Sequence, residues 1–287
     1  MIVLIKDRGS QMGLGIRAHD VQIFDDTPRL IERLQELGFD HIQYAPRVSL
    51  KKTTRDGREL TADLAQETGA CFKQAGIRIS VLGCYVNIID PDLDKRELAI
   101  QQFSHYLEYQ HSFQAKLVGT ETGSVDPNFN LTRENYTADN IALTIGQIKK
   151  MVQAAEKISG IVGIEPGVNH PIHSLAVTKQ MIDEVDSERL RIILDAGNLV
   201  TSENDDIAAI IDQAINLFGD KIDVFHLKEY VVHGGHAQVV PVGEGVANLG
   251  PAYQMIRSKK PAADIIWDEV MPAGFDRSIK RIHELSL

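Results

Sequence analysis

Residues 161–167 read Ile161-Val162-Gly163-Ile164-Glu165-Pro166-Gly167. A short apolar run bounded by turn residues predicts a strand buried on both faces. This run stops on a carboxylate. Three later segments repeat the design. Leu190-Arg191-Ile192-Ile193-Leu194 ends on Asp195, Ile222-Asp223-Val224-Phe225 on His226, and Ala263-Asp264-Ile265-Ile266-Trp267-Asp268 on Glu269. Each run finishes with a residue able to hold a divalent cation. The expectation is that the four ends meet at one mouth around one metal ion.

Upstream, the same alternation of strand and helix continues. Strands are expected at Gly13–Ala18, His41–Tyr44, Arg78–Leu82 and Lys116–Thr120. Helices between them open on capping residues and close on glycines. The first runs from Thr27, as N-cap before Pro28, to Leu37, and Gly38 closes it. Others are expected over Leu60–Gln74, Lys95–Gln114 and Thr137–Ser159. Further on, helices fall at Leu175–Val185, from Ser202 or Asn204 to Phe218, around Pro251–Ser258 and near Asp276–Leu285. Val232–Asn248 reads as a loop, and the polar stretch containing Asp126-Pro127-Asn128 as a substrate-covering loop. Eight strand–helix units predict a closed (β/α)8 TIM barrel of class α/β, formed by 1–287 as a single domain. An open doubly wound sheet would carry a Gly-rich turn after its first strand, but Arg17-Ala18-His19-Asp20 stands there instead. Residues 1–12 read as a loosely attached N-terminal extension.

The 287 residues are 43% hydrophobic and 24% charged, which is ordinary for a globular chain. A formal net charge of −10 repels phosphate backbones, so nucleic acid is not the expected partner. No apolar run reaches the ~18 residues of a membrane span, and Met1–Lys6 lacks the order of a secretory signal. The two cysteines, Cys71 and Cys84, form neither a disulfide framework nor a CxxC spacing. A reducing cytoplasm is the expected location. A homo-oligomer is compatible with this composition.

The segments Gly163-Ile164-Glu165-Pro166, Ile193-Leu194-Asp195-Ala196-Gly197-Asn198, Phe225-His226-Leu227-Lys228-Glu229, Pro241-Val242-Gly243-Glu244-Gly245 and Trp267-Asp268-Glu269 resemble the xylose isomerase-like TIM barrels. That family groups sugar isomerases, epimerases and inosose dehydratases. The resemblance implies that Glu165, Asp195, His226 and Glu269 bind one divalent ion, Mn²⁺, Mg²⁺, Co²⁺ or Zn²⁺. It also implies that Glu165 and Glu269 move protons. The physical case is independent. A cation on a carbonyl and its neighbouring hydroxyl acidifies the C–H between them and stabilises an enediolate. Carboxylates on opposite sides of a bound sugar then remove and return the proton. Many family members place a His three residues after the Asp ligand; here Asn198 stands there, which can hydrogen-bond a hydroxyl but not shuttle a proton.

His170 lies in the loop after Glu165, Glu121 ends the fourth strand, His19 ends the first, and Lys228 follows His226 by two. With Asn198, these are the candidate substrate-binding residues. Each has a plainer reading, as a helix cap, a packed core group or half of a salt bridge. The expected activity is isomerisation or epimerisation of a small sugar or sugar phosphate. Three alternatives use the same frame: a lyase of the inosose dehydratase kind, an endonuclease IV-like phosphodiesterase, and a sugar-binding barrel without catalysis. The net charge and Asn198 weigh against the phosphodiesterase.

Overall fold

The computed structural model describes residues 13–55, 57 and 59–287, and the N-terminal extension expected at 1–12 lies outside them. Strand β1 (Leu14–Arg17) is followed by α1 (Thr27–Glu36), β2 (Phe39–Tyr44), the short α2 (Pro46–Ser49), α3 (Ala62–Gln74), β3 (Arg78–Gly83), α4 (Leu93–Tyr109), β4 (Ala115–Thr120) and α5 (Ala138–Ile158). The second half runs β5 (Val162–Ile164), α6 (Leu175–Val185), β6 (Leu190–Asp195), α7 (Ile207–Phe218) and β7 (Ile222–Leu227). It continues with β8 (Tyr230–His233), β9 (His236–Val239), α8 (Leu249–Lys259), β10 (Asp264–Trp267) and α9 (Phe275–Leu285). The strands other than β8 and β9 close into a parallel barrel in the order β1-β10-β7-β6-β5-β4-β3-β2. The (β/α)8 barrel expected from the alternation of elements is the fold.

Helices begin where a side chain can accept from a free N–H of the first turn. Thr61, Asp92, Thr137 and Ser174 do this for α3, α4, α5 and α6. Two starts differ from the sequence reading. Asp26, not Thr27, caps α1, its carboxylate accepting from Arg29 N at 3.0 Å. Helix α7 begins behind Asp206, not at Ser202 or Asn204. The reason is Asp205, whose carboxylate accepts from Thr201 N at 2.7 Å and Ser202 N at 2.9 Å and folds that segment into a turn.

The loop expected from Val232 contains a hairpin. Tyr230 pairs with Val239 and His233 with His236, antiparallel. The turn is Gly234-Gly235, both at positive φ, the dipeptide that two-residue hairpins favour.

Two apolar layers hold the barrel. Val81, Leu117, Ile193, Val224 and Ile266 fill its interior. A larger shell, including Ile42, Phe72, Phe103, Ile148, Ile192 and Phe225, packs sheet against helices. Gly163 leaves room for the inner layer, since a Cβ there would lie 2.6 Å from Leu117 Cδ1. At the N-terminal face, Asp264 pairs with Arg78 at 2.9 Å and Lys116 at 3.3 Å. Active chemistry in such barrels sits at the opposite face, where the βα loops gather.

Candidate metal centre and active-site cavity

Strands β5, β6 and β7 are neighbours, so their last residues converge. Asp195 and His226 are register partners across β6 and β7. Glu165 follows β5 directly, held by its N–H on Thr120 O at 3.0 Å. Glu165, Asp195 and His226 each offer a ligand atom, all within 4.8 Å of one another, and all three residues are buried. His226 Nε2 is fully enclosed without a hydrogen-bond partner, and the enclosed Asp195 Oδ2 has only the Lys228 ammonium, 3.2 Å away. Enclosed polar atoms without partners are costly. Two carboxylates and an imidazole gathered at one point are the donor set a divalent ion satisfies, so these residues fit one.

The surrounding groups orient this cluster. Tyr85 OH donates to Glu165 Oε2 at 2.8 Å, and Asn198 Nδ2 donates to Glu165 Oε1 at 2.9 Å. His226 Nδ1 lies 3.3 Å from the same Oε1. Asp195 Oδ1 accepts from Gly197 N at 2.8 Å. Lys228 Nζ reaches Asn198 Oδ1 at 2.5 Å, Glu269 Oε2 at 2.9 Å and Asp195 Oδ2 at 3.2 Å.

Charge states follow from burial and neighbours. Burial pushes the Asp195 carboxyl up to about 6 against the pull of Lys228. Burial alone would lower the His226 imidazole, but Glu165 and Asp268 outweigh it and raise it to about 9. Burial opposes the Lys228 charge too, and Asp195 and Glu269 override it, keeping the ammonium ionised. Burial and Arg17 bring His19 down to about 4.

Of the residues expected from the sequence, Glu165, Asp195 and His226 form the tight cluster. Glu269 is outside that cluster of three; it follows β10 and is tethered to it through Lys228. Its backbone stands at φ +52, in the region that non-glycine residues rarely adopt. Asn198 and Lys228 link the acids. His19, Glu121, His170, Asn198, Lys228 and Glu269 all line one cavity of about 760 Å³ with Glu165. In it, His170 Nδ1 faces Gly123 O at 2.9 Å and Nε2 faces Glu121 Oε1 at 3.3 Å. Burial would lower the His170 imidazole, and the Glu121 carboxylate raises it instead.

Three groups escaped the sequence reading. Tyr85 orients Glu165, the Gln43 side-chain amide lies 3.2 Å from Tyr85 OH, and the buried Asp268 pairs with Arg17 at 3.5 Å. Tyr85 stands three residues past a predicted strand end, which is the one local signal it gave. The glycine-rich Pro241–Gly245 stretch wraps a carboxylate of its own chain. Glu229 Oε2 accepts from Gly243 N at 3.0 Å and its Oε1 from Ala247 N at 2.9 Å. Among the described residues no helix is long and apolar enough to cross a membrane.

The family model of the xylose isomerase-like TIM barrel matches residues 31–268. No curated protein matches the sequence. Among solved structures, a D-tagatose 3-epimerase-like protein superimposes with a TM-score of 0.74 at 16% identity, covering 96% of this chain and 97% of the other. The probable 3-DHS dehydratase AsbF from Bacillus anthracis gives 0.74 at 15%, with 96% and 99% covered. An IOLI protein with a bound zinc atom gives 0.72 at 14%, with 96% of each chain covered. At these identities the shared property is the fold.

Proposed function

The chain belongs to the xylose isomerase-like TIM-barrel family, and from that premise we propose that it is a divalent-metal-dependent isomerase or epimerase of a small sugar or sugar phosphate. One observation carries the reading: Glu165, Asp195 and His226 lie buried together at the barrel mouth, with Glu269 tethered beside them by Lys228. These residues would hold the ion, whose contribution when bound is to polarise a carbonyl and its neighbouring hydroxyl.

The remaining chemistry belongs to the side chains. Glu165 is fixed by Tyr85 and Asn198, so its carboxylate meets substrate in a set orientation. Glu269 comes from β10, separated from β5 in the barrel by β7 and β6, so it approaches from another side. One carboxylate takes the proton from the acidified C–H and the other returns it, to the opposite face in an epimerisation. Asn198, Lys228, His19, Glu121 and His170 present donors and acceptors to the hydroxyls. The relatives named an epimerase-like protein and a dehydratase support chemistry of this class.

A second reading rests on His170. Its Nδ1–H donates to Gly123 O, which leaves Nε2 toward Glu121, so the pair shares a proton at the cavity wall. Such a pair can protonate a departing hydroxyl, as a lyase requires.

The test is exchange of substrate C–H for deuterium in heavy water, followed by NMR across a panel of ketoses and aldoses with Mn²⁺ or Mg²⁺. Metal-dependent exchange, lost in both Glu165→Gln and Glu269→Gln, is expected. Exchange that survives chelation, or either substitution, sinks the assignment. Growth of enone absorbance in the ultraviolet would select the lyase.

A further inference from the structure

The mouth of the barrel does not end at the metal cluster. A second cavity of about 430 Å³ adjoins the first, and Arg47, Tyr85, Gln102 and Glu121 line both. The two are one cleft with a waist. We propose that the outer chamber receives a second ring, joined to the reacting sugar through a glycosidic oxygen, so that the substrate is a glycoside. This deepens the functional reading above and rests on it only for the reacting end.

Position is the first argument. The waist is formed in part by Tyr85, whose hydroxyl is bonded to Glu165 at 2.8 Å. Tyr85 lines both cavities, so a sugar lying against Glu165 in the first has the second beside it. Each chamber falls within the ~300–1,000 Å³ range of small-molecule sites, so the outer one has room for a ring of its own.

Construction is the second. The loops after β3 and β4 wall the outer chamber and are stitched together. Asn87 Nδ2 donates to Ser124 O at 2.8 Å, and Asn87 Oδ1 accepts from Ser124 N at 3.0 Å. Asn135 continues the seam, its Oδ1 accepting from Val125 N at 3.0 Å and its Nδ2 donating to Asn169 O at 2.8 Å. Bonds of this kind hold the chamber open before any ligand arrives.

Chemistry is the third. Leu98 and Phe129 border the chamber while 63% and 43% exposed, so both offer apolar surface to a ligand there. Arg47, Asp90, Lys95 and Gln102 add polar and charged groups to its lining. A ring with an apolar face and a polar edge is complementary to both sets. A bare phosphate would use Arg47 and Lys95 and leave the apolar border uncovered.

Isothermal titration of the Mn²⁺-loaded protein tests this with α- and β-glycosides of glucose and galactose, each carrying methyl, 4-nitrophenyl or a second glucosyl group. For at least one sugar the second ring should lower Kd about tenfold relative to methyl. The aryl and glucosyl arms say which kind of ring is taken. Leu98→Ala and Phe129→Ala should each remove the gain. Phe24→Ala, at an exposed ring that lines neither cavity, should retain it. Leu98 lies on the exposed face of α4, so its alanine variant keeps the test open if Phe129→Ala fails to fold. A gain below about twofold for every sugar and anomer, or a gain that persists in both variants, overturns the proposal. Binding of the methyl glycosides that is indifferent to removal of Mn²⁺ would instead count against the metal-dependent reading, and the effect of the second ring would still report on the chamber.

Discussion

Lys228 ties together three groups of the site. Its side chain is 8% exposed, and its ammonium touches Asp195, Asn198 and Glu269. Removing one member of a buried ionic set leaves the others uncompensated, at a cost of about 3–5 kcal/mol. Lys228→Met should therefore lower the melting temperature of the metal-free protein markedly, and added Mn²⁺ should restore much of the loss by supplying positive charge at the same acids. A variant as stable as wild type without metal would show that the lysine is not what offsets those carboxylates. Tyr85 acts differently, as a donor that orients Glu165. Tyr85→Phe keeps the ring and deletes that bond, so affinity for Mn²⁺ should fall about tenfold in titration while the fold persists. Unchanged affinity would reduce Tyr85 to a wall of the cleft.

Among the elements, the loop after β4 is the most constrained. Gly123 sits at φ +84, and a Cβ there would lie 2.0 Å from Asn87 Oδ1. Gly123→Ala is thus strained in backbone and in space, and should cost about 1–3 kcal/mol. The loss should appear first as faster hydrogen exchange at Ser124 and Val125, whose amides are bonded to Asn87 and Asn135. Exchange as slow as wild type would mean that the seam tolerates the methyl group. This loop contains Asp126-Pro127-Asn128, expected from the sequence as a cover for substrate. Its tie to the loop after β5, through Asn135 on Asn169 O and Tyr136 OH on Val168 O, makes it a fixed wall. That property was not legible in the sequence, because a run of polar residues looks alike whether its side chains meet water or each other.

The closed barrel as a whole places its ionic lock at the face away from the site. Burial would raise the Asp264 carboxyl, but His41, Lys116 and Arg78 hold it below the usual carboxylate range. Its folded value lies below its unfolded one, about 3.9. The stabilisation is therefore complete above that value and disappears as pH falls through the folded one. Asp264→Asn should cost about 1–3 kcal/mol at pH 7, a figure discounted because Arg78 is largely solvent-exposed. Urea unfolding should show the gap between variant and wild type narrowing as the solution is acidified below the unfolded value. A gap constant with pH would remove the carboxylate charge from the account. Packing sets the other limit on the barrel. Gly163→Val would press on Leu117 and Ile193 inside it and should destabilise by about 1–3 kcal/mol.

The order of the barrel strands and the main helices, the barrel class and the strand-end positions of Glu165, Asp195, His226 and Glu269 are written locally in the chain, whereas the hairpin of β8 and β9 was not. Apolar runs, caps and glycines act over a few residues, so their meaning survives without knowledge of the fold. Helix starts at Asp26 and Asp206 shifted only because one neighbouring carboxylate, rather than another, met the free amides. Tyr85 on Glu165, Lys228 between Asp195 and Glu269, and the seam from Asn87 to Ser124 were decided by the tertiary structure. Each joins side chains that are distant in sequence, 80 residues apart for Tyr85 and Glu165. Whether such groups touch depends on barrel closure, strand register and loop path together, and no local pattern encodes that sum.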